Sequence, residues 1–269
     1  MNKSFYLLPI LLVTLISCSG MGKKGAVSKL PSEDGAFSYT DKNGEFYVRI
    51  SAGLDKDNKN FSTKRVMEIP NRQKDKILEQ SVAISTLGSV KKNIILRPKI
   101  SQYNVWFDGK KYASELKINA AKKAIDLKMT SPESQWNGTK QVKFPSTKML
   151  PCFFSQIIEC AKVSGFISKA SDKKSGSTKM LVIWEGYPYL NETFSDFPSE
   201  LFSEAVLEYD GKTKESERRF NLRVAGQSIF YILNDKDVMI KMFWVSQGIS
   251  MVSKSVAKET SAEDGGSFE

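Results

Sequence analysis

The chain has 269 residues, with 40 Lys and Arg against 30 Asp and Glu, a formal charge of +10 and no histidine. The missing imidazole excludes Ser-His-Asp and Cys-His catalysis and His-ligated zinc, and the chain contains no Cys-x-x-Cys, no Gly-x-x-x-x-Gly-Lys phosphate loop and no Gly-x-Gly-x-x-Gly opening a helix. The length supports one large β domain or two small ones, and the positive charge favours anionic neighbours such as lipid headgroups or acidic polymers.

In chain order, Met1-Asn2-Lys3 places one cation ahead of an apolar run from Phe5 to Ile16. That run is too short to cross a bilayer as a permanent helix and reads as a secretion signal. It ends in Leu15-Ile16-Ser17-Cys18. Small or aliphatic residues directly ahead of a cysteine resemble the lipobox of bacterial lipoproteins. The resemblance implies cleavage before Cys18, a diacylglycerol on its sulfur and an acyl chain on the new amino group, and so a membrane partner reached through an N-terminal lipid anchor in the bacterial cell envelope. In enterobacterial lipoproteins an Asp directly after that cysteine favours inner-membrane retention; Ser19 stands here, which implies an outer membrane in preference to an inner one. Loss of residues 1–17, whose only charged side chain is Lys3, leaves 252 residues at +9. A membrane-tethered, secreted chain rarely meets nucleic acid, so lipid, glycan or an anionic envelope polymer is the expected contact, with any protein partner unspecified.

Residues 18–36 are mostly Gly, Ser, Lys, Pro and acidic side chains and read as a flexible tether; residues 255–269 read as a disordered tail. Between them, 37–254 is expected to form one β-rich domain. Phe46, Val48 and Ile50 alternate with polar neighbours as in a half-buried strand. The polar run Asp55 to Asn60 lacks the Gly and distal Glu of a calcium loop and reads as a solvated turn. Asn71 to Gln80 is read as a short surface helix capped by Asn71. Strands are expected over Ser81–Thr86 and Lys92–Leu96, the second ending near Pro98. Tyr103 to Phe107 runs into Asp108-Gly109, a hairpin signal, and strands return over Lys110–Asn119 and Ala124–Met129. Asn137-Gly138-Thr139 matches a glycosylation sequon that a bacterial envelope protein normally leaves unmodified.

From Leu150 to Val163 the apolar residues 153, 154, 157, 158 and 161 fall at helical spacing. One helix would hold Cys152 and Cys160 about 12 Å apart, too far for a disulfide, so a helix without a bridge is expected. A short hairpin over the same residues would let them pair. Thr178 to Trp184 is apolar on both faces, as in a strand covered on two sides. Ala205, Leu207 and Tyr209 alternate up to a second Asp-Gly turn at Asp210-Gly211, an echo of Asp108-Gly109. Strands over 218–224, 229–233, 238–245 and 249–252 complete a mainly β domain: a large antiparallel meander forming a curved sheet, half-barrel or sandwich, with one covering helix near 150–163.

Such a sheet with a helix across its mouth resembles, in pattern only, the half-barrel of periplasmic lipoprotein carriers, over Phe46 to Val252 and with no motif residue matched. The resemblance implies an apolar cavity. The aromatic and Met-rich candidates to line it are Trp106, Trp184, Phe230, Met239, Met242, Phe243 and Trp244. A second candidate is the loop Gly186 to Pro198, where Tyr187, Tyr189, Phe194 and Phe197 either grip a partner or fold back as a lid. Glu185, Glu192 and Asp196 lie near this loop and are the candidates for a glycosidase pair, with nothing in the spacing to fix their separation. The expectation is a non-catalytic lipoprotein that binds an apolar or amphiphilic ligand or an envelope partner, with no cofactor, metal site or catalytic residue. The alternatives are a structural or assembly factor and a carbohydrate-active enzyme. A cavity of roughly a few hundred Å³ would favour the first, an exposed aromatic patch over a filled interior the second, and facing carboxylates in a polar cleft the third.

Overall fold

The computed structural model describes residues 36–40, 47–70, 76–90, 93–107, 109–193, 197 and 199–253. Cys18, the proposed tether up to residue 35, the proposed tail, Asp108 and Phe194 lie outside the described residues, while Ala36, expected at the end of the tether, is strand. The N-terminal arm comprises β1 (Ala36–Thr40), β2 (Tyr47–Leu54), β3 (Asn60–Pro70), β4 (Lys76–Val90), β5 (Asn93–Phe107), β6 (Lys110–Asn119), β7 (Ala124–Thr130) and β8 (Gly138–Lys143). The C-terminal arm comprises β9 (Leu150–Phe153), β10 (Ser177–Ile183), β11 (Phe202–Lys212), β12 (Arg218–Val224), β13 (Gln227–Leu233), β14 (Met239–Trp244) and β15 (Ile249–Ser253). Three helices, α1 (Ile157–Val163), α2 (Phe166–Lys173) and α3 (Leu190–Thr193), interrupt the second arm.

These strands form one sheet in the order β8-β7-β6-β5-β4-β3-β2-β1-β15-β14-β13-β12-β11-β10-β9. The expected mainly β, antiparallel meander is therefore present. The two ends of the described domain meet in mid-sheet, where β1 pairs with β15 through Tyr39 opposite Ser253 and Thr40 opposite Val252. The edges are β8 and β9. Among the described strands only β9 and β10 run parallel, which requires a long crossover; the 3-10 turn Phe154–Gln156 with α1 and α2 supplies it.

The sheet curls so that the two arms share one interior. Val48, Met67, Val105 and Tyr112 of the first arm belong to the same buried cluster as Val182, Leu207, Phe220, Leu222 and Ile229 of the second. A smaller cluster joins Leu116, Ile125 and Leu127 to Phe153 and Ile183. Phe153 and Ile183 therefore face β6 and β7, while Cys152 and Val182 face the main interior. Met180 to Ile183 are all buried, as expected for a strand covered on both faces.

Four local expectations are corrected. Lys76 to Gln80 is strand, paired with β3 on one side and β5 on the other; two ladders outweigh a helix preference worth fractions of a kcal/mol per residue. The strand expected to end near Pro98 runs through it to Phe107. The register shifts between Ile84 opposite Ile100 and Ser85 opposite Pro98, so the missing N–H of Pro98 sits at a bulge, where an interior proline is tolerated. Asp210-Gly211 is likewise a bulge inside β11, with Gly211 at φ +95°, and not a turn; the chain reverses at Thr213–Glu217. The echo of Asp108-Gly109 is thus not structural.

The fourth correction concerns residues 150–163. Leu150–Phe153 is strand, the helix starts only at Ile157, and Cys152 and Cys160 form a disulfide with their α-carbons 6.6 Å apart. The apolar spacing was compatible with a helix, but Phe153 and Cys152 bury on opposite sides of β9, a period of two that a helix cannot provide. The 3-10 turn then bends the chain back and brings the two sulfurs together.

Candidate functional site

Between the arms lies a cavity of about 340 Å³. Its first wall comes from β1–β3, through Tyr39, Ile50, Ala52, Thr63, Arg65 and Met67; its second from β13–β15, through Tyr231, Met239, Met242, Trp244, Ile249 and Met251. The 3-10 turn and α1 close it with Phe154, Ser155, Ile157, Ile158, Glu159 and Lys162, and Lys236 and Val238 stand on the β13–β14 turn. Four methionine side chains give this lining an adaptable apolar surface. The Tyr39 hydroxyl donates to the Met239 carbonyl at 3.0 Å and ties the walls together.

The polar groups of the lining are unevenly placed. On β3, Arg65 Nη1 lies 3.3 Å from Glu79 Oε1, and Nη2 donates to the Met67 sulfur at 3.3 Å. On α1, Lys162 is only 7% exposed and reaches Glu159 at 3.8 Å. Burial, reinforced by the charge of Glu159, pushes the Tyr39 hydroxyl well above its usual pKa, and the same two causes raise Tyr231.

Behind the cavity is a polar pit of about 20 Å³ that shares Arg65, Phe154, Ser155 and Trp244 with it and adds Glu79, Ser81, Tyr103, Trp184, Glu185 and Phe197. It has room for about one water molecule. Both carboxyls here are pushed upward by burial. For Glu79 this outweighs the lowering effects of Arg65 and of the Tyr103 hydrogen bond; for Glu185 it outweighs hydrogen bonding from Ser155. Glu185 accepts the Phe154 N–H at 3.1 Å, the Ser155 N–H at 3.0 Å and the Ser155 hydroxyl. It therefore fixes the turn that leads into α1 by accepting backbone donors that the turn leaves free. Beside it, Gln156 accepts from Ser85 Oγ at 2.5 Å and donates to the Ala83 carbonyl at 3.0 Å and to Thr63 Oγ1 at 3.3 Å.

Of the residues singled out from sequence, Met242, Trp244 and Met239 line the cavity. Trp184 and Phe197 line the pit; with Phe154 and Trp244 they form a four-ring cluster with centroids 4.6 to 5.6 Å apart. Tyr189 is buried core, its hydroxyl donating to the carbonyls of Ala113 and Trp136, and Tyr187 is half-buried. The described part of the loop thus turns its Tyr189 and Phe197 rings inward. Trp106 and Phe230 line neither space: they alternate with buried Val105 and Tyr231 and stand on the opposite sheet face, Trp106 beneath the Lys111 ammonium. Phe243 alternates likewise with Met242 and Trp244.

The sequence reading missed Tyr39, Arg65, Met67, Glu159, Lys162 and Tyr231. The signal that would have found Arg65 is the alternation Phe61, Thr63, Arg65, Met67, in which a cation occupies an inward position. Of the three candidate carboxylates, Glu185 is committed to the turn, while Asp196 and the Glu192 side chain lie outside the described residues. Among the described residues no group of three or more Cys, Asp or Glu is placed to hold a metal ion, and no helix is long and apolar enough to cross a membrane.

No protein-family model matches the chain, and no curated protein matches it. Among solved structures it is similar to a β-barrel-like protein of a domain of unknown function, DUF1849, from Brucella abortus, at 11% identity and a TM-score of 0.42, over 81% of this chain and 93% of that one.

Proposed function

We propose that this protein is a non-catalytic envelope lipoprotein, anchored through Cys18, whose β-rich domain binds an apolar or amphiphilic ligand. The observation that carries the reading is the cavity of about 340 Å³ between the arms, lined by Tyr39, Met67, Met239, Met242, Trp244 and Met251. Its size falls in the range of small-molecule sites, roughly 300–1,000 Å³, and such sites are mostly apolar with a few placed polar groups. The assembly-factor reading has less support, since the large apolar side chains exposed among the described residues are Val90, Leu150 and Val245, none of them aromatic.

The anchor rests on Leu15-Ile16-Ser17-Cys18, and the outer membrane on Ser19. Each acyl CH₂ that enters the bilayer contributes about 0.8 kcal/mol, so two or more chains give stable attachment. The 18–36 tether would let the domain stand off the surface.

Native mass spectrometry of the mature chain from Ser19, secreted behind an ordinary signal peptide, tests the ligand reading. We expect a co-purifying lipid that is lost when Met242→Trp fills the cavity. A ligand-free protein that also takes up no added fatty acid would overturn it. Metabolic labelling with a fatty-acid analogue tests the anchor: wild type should carry label and Cys18→Ala should not, and an unlabelled wild type refutes lipidation.

A further inference from the structure

We infer that the ligand is a single-chain amphiphile with an anionic head, a carboxylate or phosphate, and that Arg65 receives that head at the inner end of the cavity. The inference rests on the ligand-binding reading above and specifies its chemistry.

Arg65 belongs to both spaces, the apolar cavity and the polar pit behind it. Its guanidinium offers five N–H donors in a planar fork, yet its close polar contacts among the described residues are a 3.3 Å contact with one Glu79 oxygen and a bond to a thioether sulfur. A sulfur is a weak acceptor. Donor capacity therefore remains on a side chain whose exposure is 18%. The forked geometry suits a two-oxygen anion better than a hydroxyl or an ammonium.

The surroundings favour the same head. Thr63 flanks Arg65 on β3, and the Tyr231 hydroxyl feels its charge from across the cavity. Among the described residues Glu79 is the carboxylate within ion-pair distance of Arg65, through Oε1, and burial pushes its pKa upward. The apolar part of the wall, Met67, Met239, Met242, Met251, Ile157 and Ile158, offers an acyl chain a surface without polar groups. In the cavity lining itself Arg65, Lys162 and Lys236 stand against Glu159, a net positive set, while Glu79 and Glu185 lie behind Arg65 in the pit.

The test compares dodecanoate, dodecyl phosphate, dodecanol and dodecyltrimethylammonium, all below their micellar concentrations, by calorimetric titration of the mature chain from Ser19. Hydrogen bonds to a charged group predict that wild type binds dodecanoate or dodecyl phosphate about tenfold or more tighter than dodecanol, with the cation weakest. The better of the two anions identifies the head. Arg65→Met should equalise anion and alcohol while leaving dodecanol binding within about twofold, since the chain contacts persist. Because Arg65→Met leaves Glu79 alone, the double variant Arg65→Met with Glu79→Gln is titrated beside it, with circular dichroism to verify the fold. Equal binding of anion and alcohol by wild type, or a preference that survives in the double variant, overturns the role of Arg65 while leaving an apolar ligand in place. No binding of any of the four chains overturns the ligand reading itself.

Discussion

The two arms bury their inner faces by different means. In the C-terminal arm the inward positions of β11–β13 are large and apolar: Leu207, Phe220, Leu222, Ile229 and Leu233 have no measurable exposure. In the N-terminal arm the inner face of β3–β6 carries Thr63, Ser81, Ser85, Ser101 and Ser114, together with Arg65 and Glu79. The C-terminal arm draws mainly on burial, since each large side chain taken from water contributes about 1.5–3 kcal/mol. The N-terminal arm leans on partners, because a buried hydroxyl or carbonyl without one costs about 1–3 kcal/mol. The crossover between β9 and β10 supplies one for Thr63, Ala83 and Ser85: Gln156 serves β3 and β4 at once, and Glu185 holds the turn before it. A sheet with one greasy and one polar inner face does not close evenly, and the cavity lies where the two kinds of wall meet.

That contrast can be broken at several points. The largest effect is expected at the aromatic junction: Trp184→Ala removes a side chain that is 1% exposed and stacks on Phe154 and Phe197, and should cost about 4 kcal/mol in urea unfolding. Gln156→Leu keeps the volume but strands the groups of Thr63, Ala83 and Ser85, with an expected loss of about 3 kcal/mol; a change under about 1 kcal/mol would show that the polar wall needs no partner. Replacing both cysteines, Cys152→Ala with Cys160→Ala, opens a short loop and should lower stability by roughly 2.5 kcal/mol, with the far-ultraviolet spectrum unchanged because β9 and α1 keep their own packing.

The smallest effect concerns pH. Glu79 holds its proton more tightly in the folded state, its pKa being raised above 4.5 by burial. Its contribution is therefore fully present below the unfolded value of about 4.3 and is lost as the pH rises through the folded one. Glu79→Gln should flatten the decline of the unfolding midpoint above pH 4.5, and curves that run parallel for wild type and variant would count against a carboxyl displaced by burial.

The strands of 110–129 and 202–253 were largely legible because a half-buried sheet imposes a period of two on a single chain, and Leu116, Leu127, Leu207 and Leu222 obey it. Residues 150–163 were not, because β9, a 3-10 turn and α1 together mimic a single helical stripe. The site was legible only in its C-terminal wall, where Met242 and Trp244 are conspicuous by residue type. Trp106 and Phe230 were equally conspicuous and face the other way, since composition names a residue and register aims it.

What the sequence determined by itself is local: an apolar N-terminal run that ends at a cysteine, and an alternation that makes most of the chain strand. What only the tertiary structure decided is which rows face each other. The cavity joins β1 to β14 through Tyr39 and Met239, 200 residues apart, and the Cys152–Cys160 pair exists because a parallel edge strand bends into a turn. Both depend on ladder register accumulated across the whole sheet, a long-range sum that no window of neighbouring residues contains.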